Sequence, residues 1–506
     1  MVPTDPIWGK AHPQQQQQQQ QQQLRTTTTP MGISTATNPH HFTTKLPQYA
    51  KRRSFSSTSS SSSHSAPKRF LLALVTFLAL LHIQTLTHTL NNHLKLPLSS
   101  SWPLALSLLP AAAPSDIAFL PLKDLRFSNT PMDGNTWFMS SLNDTYEPGE
   151  TEHLRFPSDA SGGRLLCLAG SSASDGTRNA YALAPPHGLR GVRLLRGLTF
   201  VSDTYYDYEN LWHGLSAVVP FAAWHARNGC VRPARWVLYH QGELRTGMGP
   251  WVRKVAETVF GTAMQMETFE GGQPRCFEEA VVFRHNEGSM TKEKKKRVYD
   301  MLRCKARAYC NVSREAEKES NELEKVVIRV TLLLRVGARS FKDDKGVISV
   351  FERECKKVEG CRLTVARPNN LTFCDQVKLM SETDILASPH GAQLTNMFFM
   401  DRNSSVMEFF PTGWLKLAGP GQNVFQWLAS YSGMQHRGAW HDPNGDRCPY
   451  ANATARCMSF HKNRRIGHNT AFLANWTSTV LREEHRRMAA VDQAKLKASQ
   501  GPCQCD

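Results

Sequence analysis

Val326-Val-Ile-Arg-Val-Thr-Leu-Leu-Leu334 opens a stretch in which β-branched apolar runs alternate with helical ones. The pattern predicts strands over Val326–Leu334, Leu363–Ala366, Ile385–Ala387 and Val406–Phe409, separated by helices over Gly346–Lys357, Leu371–Met380 and Gln393–Met400. Strict alternation points to a parallel sheet, because parallel neighbours need a long crossover, usually a helix. Upstream, Arg235-Trp-Val-Leu-Tyr239 and Ala280-Val-Val-Phe283 read as buried strands and Trp251–Phe260 as a helix, so an earlier series of the same kind is expected. The expected fold class is α/β, with two Rossmann-like domains, 124–320 and 321–506, facing a cleft. Ligands of such sheets bind outside the carboxyl ends of the strands. The second domain is expected to end in a charged, amphipathic helix, Thr477–Ala498.

The 506-residue chain has room for an arm besides two domains. Glutamines from Gln14 to Gln23, threonines from Thr26 to Thr29 and serines from Ser56 to Ser63 make 1–69 an expected disordered cytosolic arm, too poor in apolar residues to repay its ordering entropy. Phe70–Leu90 then lacks Asp, Glu, Lys and Arg and suits a helix crossing the roughly 30 Å of a bilayer. Lys51, Arg52, Arg53, Lys68 and Arg69 precede it and no basic residue follows until Lys95, so the positive-inside bias predicts a single-pass type II signal anchor with a luminal C-terminal portion. A cleaved signal peptide would have a shorter apolar region, and a buried soluble helix would not need charged flanks. Residues 91–123, rich in Leu, Ser, Pro and Ala, read as a stem.

All 12 cysteines, Cys167 through Cys505, lie after this segment, as expected for an oxidising compartment. No C-x-x-C pair occurs, so disulfides are favoured over structural zinc. Sequons for N-glycosylation at Asn143, Asn311, Asn370, Asn403, Asn452 and Asn475 are all downstream too. The formal charge of +17 raises the question of nucleic acid, but no element interleaves basic and aromatic residues along one face. The dense run Lys292–Arg297 reads as a solvated helix face, and nucleic-acid binding is not expected.

Chemistry concentrates in three places. Ser388-Pro-His-Gly-Ala-Gln-Leu-Thr-Asn396 joins a strand to a helix, where Gly391 permits close backbone approach, free N–H groups favour an anion and His390 can donate to a phosphate oxygen. Arg335 and Arg339 follow the strand Val326–Leu334 and can fork onto a pyrophosphate, which planar guanidinium suits better than ammonium. Asp203-Thr-Tyr-Tyr-Asp-Tyr-Glu-Asn-Leu-Trp-His213 mixes carboxylates and flat aromatic faces of the kind carbohydrate sites use. Within it His213 is the candidate base for a hydroxyl, and Asp207, Glu209 and Asn210 are acceptor-side candidates. The alternatives are a histidine that only caps its helix, two surface arginines, and a structural histidine beside the apolar helix Leu215–Trp224. No Asp-x-Asp tripeptide is present to clamp a divalent cation, and Asp343-Asp344 between lysines reads as a solvated turn.

In order, Asn210-x-x-His213, Arg335-x-x-x-Arg339, Ser388–Asn396 and Val406-Met-Glu-Phe-Phe-Pro411 resemble the motifs of glycosyltransferase family 61 over Arg126 to Trp476. That family includes plant xylan arabinosyl- and xylosyltransferases, the β-1,2-xylosyltransferase of plant N-glycans, and animal O-GlcNAc transferases of the endoplasmic reticulum. The resemblance implies a GT-B fold and inverting stereochemistry. It also implies that Arg335, Arg339 and the loop of His390, Gly391, Ala392, Thr395 and Asn396 hold a nucleotide diphosphate, with Glu408 near the nucleoside. Two positions depart from the commonest pattern. Gln393 stands where Gly is usual, as in many plant members, and no Asn follows the arginine pair between Lys342 and Ser349.

The expected activity is therefore transfer of a pentose, xylose or arabinose, from a UDP-sugar to a xylan or N-glycan hydroxyl at the Golgi membrane. Domain 124–320 would face the acceptor and domain 321–506 the nucleotide sugar. No cofactor or metal is expected, and complexes with other Golgi transferases are possible partners. The competing expectation is an inactive Golgi glycan-binding or scaffold protein of the same fold.

Overall fold

The computed structural model describes residues 117–122, 144–187, 189–203, 209–240, 242–245, 247–261, 263, 265–283, 287, 290–312, 327–450, 453–490 and 503–505. The expected arm, the anchor Phe70–Leu90, nearly all of the stem, Asp207, and the sequons Asn143 and Asn452 lie outside them.

The first half builds a mixed sheet, with strands β1 (Leu120–Pro121), β2 (Leu154–Phe156), β3 (Leu165–Ala169), β4 (Ala180–Ala184), β5 (Arg193–Asp203), β6 (Arg235–His240), β7 (Glu243–Arg245), β8 (Gln265–Met266) and β9 (Arg275–Phe283). Their order is β1-β4-β3-β9-β5-β6-β7, with β2 also on β9 and β8 on β6. Only β9, β5, β6 and β8 run parallel; the others extend the sheet with antiparallel partners. Helices α1 (Leu211–Arg227), α2 (Pro250–Phe260) and α3 (Lys292–Tyr309) accompany it.

The second half is the alternating series. Strands β10 (Ile328–Leu333), β11 (Cys361–Ala366), β12 (Ile385–Pro389), β13 (Ser405–Phe410) and β14 (Gln435–His441) form an all-parallel sheet in the order β11-β10-β12-β13-β14. Helices α4 (Asp344–Cys355), α5 (Phe373–Ser381), α6 (Trp414–Leu417), α7 (Val424–Tyr431), α8 (Thr454–Lys462) and α9 (Thr470–Ala490) complete it. The expected helix at Gln393–Met400 is instead a 3-10 helix, Ala392–Phe399. Asp343 is no bare turn: its Oδ1 accepts from Gly346 N at 2.9 Å and caps α4. The basic run at the start of α3 is not wholly solvated either, since Lys295 is buried on Glu287 at 3.1 Å.

The α/β class matches expectation, but the separation into two Rossmann-like domains of GT-B type across a cleft does not. One apolar cluster runs from Phe200, Phe221 and Trp236 of the first half through Tyr299 to Leu394, Phe398 and Leu428 of the second. The physical cause lies in α1, whose residues from Gly214 to His225 are all buried. A helix apolar all round must bury every face, and this one is sunk in core shared by both halves. Disulfides reinforce the union: Cys230–Cys505, Cys304–Cys503 and Cys310–Cys374 each cross between halves. Cys167–Cys276, Cys355–Cys361 and Cys448–Cys457 complete the pairing, leaving no free cysteine. The expectation of a membrane-spanning helix is likewise corrected, for no helix among the described residues is long and apolar enough to cross a bilayer. The four described sequon asparagines, Asn311, Asn370, Asn403 and Asn475, are exposed.

Candidate active site

At the carboxyl edge of the parallel sheet, β10 and β12 deliver their loops side by side. Arg335, two residues past β10, donates through Nη1 to the His390 carbonyl at 2.9 Å and to Gln393 Oε1 at 3.4 Å. Gly391 makes this approach possible, because a Cβ there would collide with the Arg335 guanidinium. A cavity of about 80 Å³ opens between Arg335, Arg367, Asn369 and Gln393, room for a phosphate group rather than a whole nucleotide.

Arg339 stands in the left-handed region (φ 61°), stretched across the face of Trp414 with its guanidinium carbon 5.2 Å from the ring centroid. Burial, with Arg335 beside it, pushes its guanidinium down to about 9; burial alone takes Arg335 down to about 10. The Nε atoms of both arginines and Nη1 of Arg367 are buried without a hydrogen-bond partner among the described residues. Cations drawn part-way out of water and buried donors without an acceptor are costly unless something anionic meets them, so this edge is electrostatically prepared for an anion.

His390 forms the floor. Its ring lies against Trp414 at 4.6 Å, Phe410 at 4.9 Å and Phe425 at 5.3 Å, and its Nδ1 is 2.5 Å from Glu408 Oε1. The other Glu408 oxygen lies 2.9 Å from His436 Nε2. Burial opposes the Glu408 charge, yet the two histidines hold its carboxyl below the usual range; burial lowers His390 in turn, partly offset by Glu408. Glu408 is fully buried behind His390 with both oxygens engaged, a placement that orients the imidazole.

The first half reaches the same place through the start of α1. Asn210 caps that helix, its Oδ1 accepting from Trp212 N at 3.1 Å, and Trp212 packs edge-on to Phe425 at 6.3 Å. His213 follows one residue later. Burial, and then the charge of Lys462, lower it to about 4, so at neutral pH it is an uncharged imidazole. Glu209 is exposed just before the cap.

The remaining residues of the glycine loop turn inward. Asn396 is buried, its Oδ1 accepting from Trp251 Nε1 of α2 at 3.1 Å and its Nδ2 donating to Gln393 O at 3.2 Å. Thr395 is fully buried and its hydroxyl has no partner among the described residues, while Ala392 is half-buried. Asn396 thus joins the halves, while Arg335, Arg339, His390 and Gly391 gather at the sheet edge.

Residues 255–407 match the family model described as Glycosyltransferase 61. Over this stretch the chain is assigned to glycosyltransferase family 61. It is accordingly a glycosyltransferase, which binds a sugar donor and an acceptor. No curated protein matches the chain. The family match runs from within α2 to within β13; it includes Arg335, Arg339 and the glycine loop but stops short of Glu408 and does not reach back to His213.

Sequence reasoning passed over Lys462, His436, Trp414 and Arg367. For Lys462 a signal existed, since His461-Lys462-Asn463-Arg464-Arg465 is nearly as basic as Lys292–Arg297. His436 and Trp414 carry none, because only strand order brings β14 beside β13 and α6 over His390.

Proposed function

We propose that this glycosyltransferase moves a pentose from a UDP-sugar to a hydroxyl of a xylan or N-glycan in the secretory lumen, inverting the anomeric centre. The observation that carries the reading is the convergence of Arg335 and Arg339, two half-buried cations without a carboxylate ion pair among the described residues, at the glycine turn. In a single displacement, His213 takes the acceptor proton as the hydroxyl oxygen attacks the anomeric carbon. The bond to the diphosphate breaks as the new one forms, and the guanidinium groups meet the charge gathering on the leaving oxygen. Two cations of this kind make a bound metal unnecessary. The pentose and its acceptor rest on the likeness of the motifs to plant xylan and N-glycan transferases. Luminal residence is supported by the fully paired cysteines and exposed sequon asparagines.

The test is release of UDP from UDP-xylose, UDP-arabinose and UDP-N-acetylglucosamine against an array of xylan and N-glycan acceptors. Acceptor-dependent release that disappears in Arg339→Ala supports the reading. Preference for the hexosamine donor refutes the pentose assignment, and UDP binding without turnover on any acceptor favours an inactive glycan-binding protein.

A further inference from the structure

We infer that Lys462 is a third phosphate-binding cation, acting with Arg335 and Arg339 on the donor diphosphate from a segment beyond the family match. The inference rests on the donor-site reading above and adds to it a residue on α8. The loop after that helix is zipped onto the arginine loop: Arg339 N donates to Arg464 O at 2.8 Å, Ile466 N to Ser340 O at 2.8 Å, and Lys342 N to Ile466 O at 2.7 Å. On the other side His461 is buried against Gly413, where a Cβ would fall 2.6 Å from its Nε2. Lys462 is therefore held in place from both directions, unlike a lysine on a free surface.

Its surroundings are what a structural lysine would avoid. Lys462 is half-buried, its nearest charged influence is Arg339, and it forms no ion pair with any described residue. Other withdrawn cations have a stated partner: the buried Lys295 meets Glu287 at 3.1 Å, the buried Arg303 meets Asp300 at 2.8 Å, the half-buried Arg329 meets Asp384 at 2.9 Å, and the buried Lys305 donates to the Cys505 carbonyl at 2.9 Å. Arg335, Arg339 and Lys462, by contrast, form no ion pair with a carboxylate among the described residues, and they lie together. Three neighbouring, half-buried cations, with only the more distant Glu408 charge acting on Arg339 and no carboxylate ion-paired to any of them among the described residues, are explained by an anion that arrives from outside. An ammonium on a flexible stem complements the two fixed guanidinium planes, because it can follow a phosphate oxygen as the diphosphate leaves.

The test compares wild type, Lys462→Met and Lys462→Arg in the full chain by calorimetry with UDP, pyrophosphate and uridine, alongside thermal unfolding without ligand. Lys462→Met is expected to weaken UDP and pyrophosphate about tenfold, with uridine unchanged and Lys462→Arg keeping most of the affinity. Unliganded Lys462→Met should melt no lower than wild type, since an unpaired cation is being removed. Wild-type affinity in Lys462→Met overturns the inference while leaving the donor site standing. A clear loss of unliganded stability in Lys462→Met also overturns it, by marking the lysine as structural. Wild type that binds neither UDP nor pyrophosphate fells the donor-site reading itself, and this inference with it.

Discussion

Replacing Gly391 with alanine tests how the glycine turn and Arg335 work together. The backbone there has φ 158° and ψ 173°, a conformation that L residues rarely adopt, so alanine brings backbone strain of about 1–3 kcal/mol as well as the methyl group. That methyl falls on the Arg335 guanidinium, which must swing aside and give up its 2.9 Å bond to the His390 carbonyl. A hydrogen bond to a charged group contributes about 1.5–3 kcal/mol, so stability should fall by up to that amount beyond the strain, less whatever the freed guanidinium recovers from water. Displacing one of the donor-binding cations should weaken UDP by about ten- to a hundredfold in calorimetry. The same substitution in an Arg335→Ala background should weaken UDP hardly further, because the group it displaces is gone, and should cost in stability only the backbone strain. UDP affinity within twofold of wild type in Gly391→Ala, at an unchanged melting temperature, would refute the placement of Arg335 on the donor.

Asn396→Ala should behave differently from that variant, lowering stability by about 1–3 kcal/mol in denaturant melts by leaving the Trp251 N–H without its acceptor, with UDP affinity nearly unchanged. His213→Ala should cut turnover by about 10²–10⁴ while UDP binds as before. In the native enzyme the activity controlled by His213 should hold from neutral pH down to about 5 and fall towards 4, where the folded imidazole gains its proton. Because the unfolded imidazole is protonated already below 6.5, the stability His213 permits is full above that value and declines as pH drops towards 4, which urea melts across this range would register. Cys505→Ser, which releases the tail from Cys230, should cost about 2–5 kcal/mol, read as a shift of the unfolding midpoint under non-reducing conditions.

The second half was readable because its central strands β10, β12 and β13 are buried on both faces and therefore continuous in apolar sequence; they fall within a few residues of expectation. The first half hid its longest strand. In β5 the register slips between Leu195 and Leu198, where Gly197 adopts φ 82°, and Arg193 and Arg196 further break the apolar pattern. Antiparallel β3 and β4 were missed too, being short and joined without helices. The arginine pair and the glycine turn could be found locally, since strand ends expose them in sequence as well as in space. The Glu408 bracket could not, because His390 and His436 approach it from different strands and only the parallel register sets them on either side.

The burial of α1 on every side bears on how this enzyme moves. Enzymes whose halves meet only at a linker can swing shut over a substrate, but rotation here would pull Phe221 and Leu215 out of shared packing into water, at about 25 cal/mol for each Å² of apolar surface laid bare. The cross-half disulfides add a covalent brake to that thermodynamic one. Substrate-free and donor-bound forms should therefore superpose along their whole frame, with any adjustment confined to side chains and loops at the sheet edge, so that selectivity comes from a surface already assembled before the sugar arrives.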